Sequence, residues 1–246
     1  VIVTSSTGVE SPIGVTLTVG VNINGTDYGV RANSDGAPYY QWELYAVREA
    51  GPGYTYATIQ DAIDAADSGD LILVAPGVYD ELVVMWKPVK LQGWGPGAVT
   101  LNARQVPTEK IDAWRLKVEG LVDSFSINLL PGQELAPGFP ALGAPLFPTE
   151  EGAGIFVAGR GSGNFDSFDT RRNWGARIDG FTIVGATQGG AIVLNGYTGY
   201  MKIGNNRLIS NAGFYGGGIR VGHPTLVNEL GGLNYTDAVN DRIRIH

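Results

Sequence analysis

The chain contains no cysteine and only two histidines and two methionines, and charged residues make up just 17% of its 246 positions. Without thiols there are no disulfides, no thiolate metal sites and no cysteine nucleophile. His223 and His246 stand far apart, which excludes a histidine-rich metal motif. No stretch approaches 18 consecutive uncharged apolar residues, so the sequence holds no candidate membrane-spanning helix. The net charge is −7 and there is no run of Lys or Arg, which argues against a nucleic-acid duplex as partner. Glycine, by contrast, is plentiful at 37 residues, roughly double the average usage of ~7%. Strict triplet periodicity is missing, so collagen is excluded. An apolar content of 43% is ample for a core, so a disordered acidic tail is excluded too.

The length suits one large β domain, or one with a small appendage. The chain opens at Val1 with no Met and no basic–apolar leader, and is expected to be a processed mature chain or a fragment. Cysteine-free, Gly/Asn/Thr-rich composition suits a secreted or cell-surface protein of bacterial type.

Residues 1–50 read as an N-terminal β segment, either an appendage or the end of a preceding domain. Val15 to Asn24 alternates apolar and polar, as a half-buried strand does. A turn at Asn24-Gly25-Thr26-Asp27 leads to a second strand around Tyr28–Ala32, and Tyr39–Val47 offers a third. From residue 51 the texture changes. Ile59, Ala62, Ile63 and Ala66 recur at helical spacing behind Thr58, which with Asp61 approximates a capping box. Short apolar runs follow at Leu71–Val74, Val78-Tyr79, Leu82–Met85, Val89–Leu91 and Val99–Leu101, each ended by Gly, Pro or Asn. They are too short and too closely spaced for helical crossovers, which excludes a βαβ arrangement there.

Residues 177–246 repeat that texture with a period. Ile178 to Ile183 matches Ile203 to Leu208, 25 positions on, and Gly189 to Leu194 matches Gly216 to Val221, 27 positions on. Arg242-Ile243-Arg244-Ile245 opens a third copy, delayed by residues 222–240. Three short strands per ~25 residues describe a solenoid whose coils stack by parallel pairing. An insertion over residues 103–176 breaks the period. Within it, Thr108 caps a helix with Ile111, Trp114, Val118 and Leu121 on one stripe, and Gly152 to Val157 regains a strand.

The segments Tyr56–Ala66, Gly69–Tyr79 and Lys87–Gly95, with the later Gly-Gly-x-Ile and Asn-Asn-x-Leu-Ile-x-Asn coils, resemble the pectin-lyase-like superfamily of right-handed parallel β-helices. The resemblance covers about half the chain. It implies an N-terminal capping helix over residues 58–67 and an all-β right-handed parallel β-helix over residues 51–246. It says little of function, because that scaffold hosts lyases, hydrolases, esterases, epimerases and adhesins. Asn206 and Asn211 are expected at tight bends, where Asn tolerates the left-handed region and its amide can bond the adjacent coil's Asn; ordinary turn asparagines are the alternative.

The superfamily's catalytic sets fail residue by residue. Polygalacturonase-like chemistry needs paired Asp motifs, a Gly-His-Gly and an Arg-Ile-Lys; here stand Gly222-His223-Pro224 and Arg242-Ile243-Arg244 without the acidic pairs. Pectate-lyase-like chemistry needs clustered Asp ligands for Ca²⁺ and an Arg base; the equivalent of Asp179 on the next coil is Gly204. No catalytic residue is therefore assigned, and His223 reads as an ordinary loop residue, with a general base as the alternative. No cofactor is expected except Ca²⁺ at Asp166 and Asp169, whose loop Asn164–Asp169 offers the oxygen ligands that ion prefers. Asp61, Asp64, Asp67 and Asp70, three residues apart, read as a solvated face rather than a metal site. Asn24 and Asn234 head sequons of the glycosylation type, which chance also supplies.

Arg177, Lys202 and Arg242 each precede the inward isoleucine of a successive coil, and Arg244 extends the row. Side chains alternate along a strand, so these cations should project from one sheet about 4.8 Å apart. Like charges so close repel, which points to an anionic counterpart: uronate sugars or an acidic neighbouring chain. The alternative is a solvated face tempered by Asp179 and Asp241. Trp86, Trp94, Trp114 and Trp174 are candidate stacking platforms for sugars, or packing against the insertion. The final Ile243 and Ile245 lack a capping element, and solenoids need capped ends, so further coils, on the same precursor or another chain, are expected there. Three functions stay open. The first is a non-catalytic structural or adhesive segment with acidic-polysaccharide contact. The second is an enzyme acting on uronate-containing glycans by lyase, hydrolase or epimerase chemistry, and the third a subunit docking a separate catalytic domain through the insertion.

Overall fold

The structure, a computed structural model, describes residues 3–5, 19–23, 26–31, 43–130, 149–162, 165–169, 175–223 and 240–246. Its elements run β1 (Val3–Ser5), β2 (Val19–Ile23), β3 (Thr26–Arg31), β4 (Glu43–Ala50), α1 (Ile59–Ala65), β5 (Leu71–Val74), β6 (Gly77–Tyr79), β7 (Val83–Met85), β8 (Lys90–Gly93) and β9 (Val99–Asn102). Then follow α2 (Thr108–Asp123), β10 (Ile155–Val157), β11 (Gly161–Ser162), β12 (Phe165–Asp166), β13 (Arg177–Asp179), β14 (Thr182–Val184), β15 (Ile192–Leu194), β16 (Lys202–Gly204), β17 (Arg207–Ile209), β18 (Ile219–Val221) and β19 (Arg244–Ile245).

From β5 onward the chain visits three sheets in fixed rotation, interrupted by the short antiparallel pair of β11 and β12. The first sheet orders β5-β8-β13-β16-β19, the second β6-β9-β14-β17 and the third β7-β10-β15-β18, every pair parallel. The arrangement is all-β, mostly parallel and solenoid-like, with two helices among the described residues. The sequence period is the pairing register: Ile178 faces Ile203, Ile183 faces Leu208 and Ile192 faces Ile219. Ile72, Leu91, Ile178 and Ile203 form one inward column, each at most 1% exposed; Leu101 with Ile183, and Val83 with Ile155 and Ile192, line the other two walls. Each fully buried Ile or Leu contributes about 1.5–3 kcal/mol, so stacking of like on like is the main stabilising term.

The N-terminal strands continue this construction. β1 to β4 form an antiparallel meander, and β4 then pairs in parallel with β5, extending the first sheet. That register puts Arg48 opposite Ile72, at the top of the inward column. Its Nε donates to Asp70 Oδ2 at 2.6 Å and its NH1 to Tyr56 Oη at 3.0 Å; Asp70 also accepts from the amides of Ala46 and Asp67. α1 covers the same end with Ile59, Ala62 and Ile63 buried. Thr58 Oγ1 accepts from the Asp61 amide at 3.0 Å, as expected, and the Glu81 carboxylate accepts from Ile59 and Gln60 N–H, both at 3.0 Å. α1 ends at Ala65, so only Asp61 and Asp64 of the four spaced aspartates lie on it, and Asp70 is a buried clasp rather than part of a solvated face.

The bends depart from expectation by one residue. The left-handed positions are Asn205 and Ser210, both at φ 52, where the preceding coil has Gly180 and Gly185. Asn206 and Asn211 instead clamp the bends of the coil before. Asn206 accepts from Phe181 N–H at 2.9 Å and donates to the Ile178 carbonyl at 2.9 Å; Asn211 does the same with Ala186 and Ile183 at 3.0 and 2.8 Å. Each amide thereby satisfies two backbone groups that a corner would leave unpaired.

α2 buries the expected stripe of Ile111, Trp114, Val118 and Leu121. Its N-cap is Pro107, with no side-chain cap bond, so Thr108 is the first helical residue and not the cap. Trp114 meets Phe156 edge-on, ring centroids 5.5 Å apart, which lays α2 over the outer side of the third sheet.

Candidate functional site: a basic groove on the first sheet

Alternation along the first sheet turns two columns outward. One is Lys90, Arg177, Lys202 and Arg244; the other is Gln92, Asp179 and Gly204, followed by His246 beyond β19. Between them lies a cavity of about 220 Å³ lined by Gly175, Arg177, Asp179, Lys202, Gly204, Arg244 and His246. The His246 ring packs against Gly204, its Nε2 2.8 Å from where a Cβ would stand. Asp179 is the only carboxylate side chain among the described lining residues and accepts from Asn205 Nδ2 at 3.1 Å. Arg177 donates to Gln92 Oε1. Among the described residues, Arg177, Lys202 and Arg244 thus stand on successive strands about 4.8 Å apart beside Asp179.

The structure corrects the row in two ways. Arg244, not Arg242, stands opposite Lys202, and Ile245, not Ile243, opposite Ile203. A two-residue shift leaves each side chain on its own face, so alternation cannot choose between the registers. The choice is made upstream: Asn240 Oδ1 accepts from Thr198 N–H and Oγ1–H, and the Asp241 carbonyl accepts from Tyr200 N–H at 2.8 Å. Arg242 falls outside the strand at φ 57, its guanidinium 5.3 Å from the Tyr200 ring centroid. In the other direction the row gains Lys90, which is buried and donates to the Gly69 carbonyl at 2.6 Å.

The tryptophans divide by environment. Trp94, at the end of β8, is 54% exposed, whereas Trp114 belongs to the core. Trp86 Nε1 donates to Asp64 Oδ1 at 2.9 Å beneath Lys87, whose Nζ sits 4.1 Å from the ring centroid. Trp174 lies outside the described residues, as do Asn164 and both sequon asparagines.

Asp166 is buried, its Oδ1 accepting from Phe168 N–H and its Oδ2 from Gly199 N–H, both at 2.7 Å. Burial raises its pKa against the pull of those amides. The carboxylate thus ties the insertion to the loop before β16. Asp169 is joined to it through a backbone bond, and among the described residues no group of three His, Asp or Glu is placed to hold a metal ion.

One cluster escaped the sequence reading. At the end of the third sheet, Glu150 Oε1 receives Arg220 NH2 at 2.7 Å, with His223 Nε2 at 3.4 Å, and Arg220 NH1 donates to the Thr149 carbonyl. Beside it, Glu151 pairs with Arg115 of α2. Burial lowers the Arg220 pKa, opposed by Glu150. A signal existed: the 27-residue offset aligns Arg220 with Val193, and a charge in the otherwise apolar outward column Val84-Phe156-Val193 implies a buried partner. Comparison with known family models, curated proteins and solved structures returns no match.

Proposed function

We propose that this chain is a non-catalytic segment of a secreted or cell-surface protein, built as a right-handed parallel β-helix of the pectin-lyase-like type. Its first sheet would hold an acidic polysaccharide. The observation that carries the reading is the groove in which Arg177, Lys202 and Arg244 stand in register on successive strands. A polyuronate laid across the strands meets one cation per coil. Such binding is mainly electrostatic and weakens with salt.

Calorimetry with polygalacturonate and alginate, beside a neutral glucan, tests it. The acidic polymers should bind and the neutral one should not. Replacing Arg177 and Lys202 together by Ala should weaken binding at least about tenfold while the far-ultraviolet spectrum is kept. Equal binding of the neutral glucan, or an unaffected double variant, rejects the groove.

A second reading, an enzyme acting on uronate glycans, draws on the Glu150–Arg220–His223 cluster, which brings an acid, a cation and an imidazole together. Glu150 is 1% and Arg220 9% exposed, and α2 lies over the same sheet, so the cluster is built as a clasp. Release of unsaturated or reducing ends by the isolated chain would establish catalysis and reject the non-catalytic reading.

A further inference from the structure

We propose that the Trp94 indole is a stacking platform for a sugar ring at the β8 end of the basic groove, a subsite read by shape rather than by charge. The inference rests on the groove reading above and extends it by one coil.

The two outer columns of the first sheet part company at β8. Beyond Arg177 the cation column continues into Lys90 and Leu71, which are only 3% and 6% exposed. The Lys90 ammonium donates to the Gly69 carbonyl at 2.6 Å, and Gly69 N–H donates to the Pro88 carbonyl at 2.8 Å, so the turn before β5 closes over this side. A polymer lying over Lys202 and Arg177 is therefore turned away from the cations there. The other column stays open. Asp179 is followed by Gln92 and Leu73, both half-buried, and two residues beyond Gln92 stands Trp94, 54% exposed.

The platform is adjacent to the groove and held in place. Gly180, the residue after Asp179, lies against its turn: a Cβ there would stand 2.7 Å from the Gly93 carbonyl oxygen and 3.2 Å from the Gly95 nitrogen. The Gly95 carbonyl accepts from Ala98 and Val99 N–H at 2.9 and 3.1 Å, and the Pro96 carbonyl accepts from the Thr182 hydroxyl. A turn fixed in this way loses little freedom when a ligand docks. Among the described residues nothing lies within 4 Å of the Cβ position at Gly95 or Gly97, which leaves room beside the indole for a flat ring.

The chemistry of the occupant follows from the ring. An aromatic face carries negative charge density, which repels a carboxylate but attracts the weakly positive C–H face of a pyranose. Trp94 thus takes the ring of the same polysaccharide and leaves its carboxyl groups to Arg177 and Lys202.

Calorimetry and tryptophan fluorescence with polygalacturonate test the platform. Trp94→Ala should weaken binding about fivefold. The slope of affinity against salt should stay as in the wild type, because the lost contact carries no charge. Trp94→Tyr should recover most of the affinity, and Trp94→Phe should abolish the fluorescence change seen on saturation. All three variants change an exposed side chain and should keep the wild-type far-ultraviolet spectrum. Arg177→Ala with Lys202→Ala should instead flatten the salt dependence, with the fluorescence still responding at saturating polymer. Full affinity in Trp94→Ala, or a fluorescence change kept in Trp94→Phe, overturns the platform and leaves the groove standing. No binding of polygalacturonate by the wild-type chain overturns both. Self-association lost in Trp94→Ala overturns the platform by giving the indole to a second copy.

Discussion

The two ends of the stacked coils solve one problem differently. Each inward column must stop somewhere, and a stack that stops on isoleucine leaves apolar surface and an unpaired edge in water. At the amino-terminal end the first sheet's column stops on Arg48, whose stem lies over Ile72 while its guanidinium meets Asp70 and Tyr56. α1 seals the rest. At the other end the last described member of the same column is Ile245, half exposed. Closure at the first coil is thus polar and hydrogen-bonded, whereas the last described coil has the chemistry of an interior one.

The largest expected effect contrasts the column's middle with its last member. Ile178→Ala, at 0% exposure between Leu91 and Ile203, should cost about 3–4 kcal/mol in denaturant unfolding, whereas Ile245→Ala should stay within about 0.5 kcal/mol. Similar costs at both positions would mean that the far end is covered as well. Next comes the polar closure. Asp70→Ala strands Arg48 and frees two backbone amides, and should cost about 3 kcal/mol, with Asp70→Asn recovering part of it. No loss on Asp70→Ala would show that α1 closes the end unaided.

The smallest effect is a pH dependence. Burial raises the pKa of Glu81 despite the two α1 amides it accepts, and raises that of Asp166 as well. A raised folded-state pKa means that the folded chain binds protons more tightly than the unfolded one. The stability these groups add is full below the ordinary carboxylate value, about 4, and is lost as pH rises through the folded values. Glu81→Gln, which keeps one acceptor for α1, should cost about 1 kcal/mol near pH 4 and less at neutrality. A variant whose deficit grows toward neutral pH would reverse the sign argued here.

The period was legible because it is the fold's driving force: apolar residues that must stack recur at 25 and 27 positions, and they pair in that register. The stripe of α2 and the Thr58 cap were legible for the same local reason. What escaped depended on partners distant in sequence. Glu150 and Arg220 lie 70 residues apart, and nothing local to either announces the other. Arg242 and Arg244 exchanged places in the row because alternation is blind to a two-residue shift. The bend moved from Asn206 to Asn205 because the asparagine amide serves the neighbouring coil better than its own corner.

The sequence by itself determined the stacking of short parallel strands around an apolar interior, the helix over the first coil and the presence of cations on one outer column, since spacing and polarity are properties of the chain alone. Only the tertiary structure decided which arginine joins that column, that Arg48 and Asp70 close one end, and that Arg220 is held by Glu150. Those outcomes turn on hydrogen bonds between residues that meet only when successive coils are brought face to face.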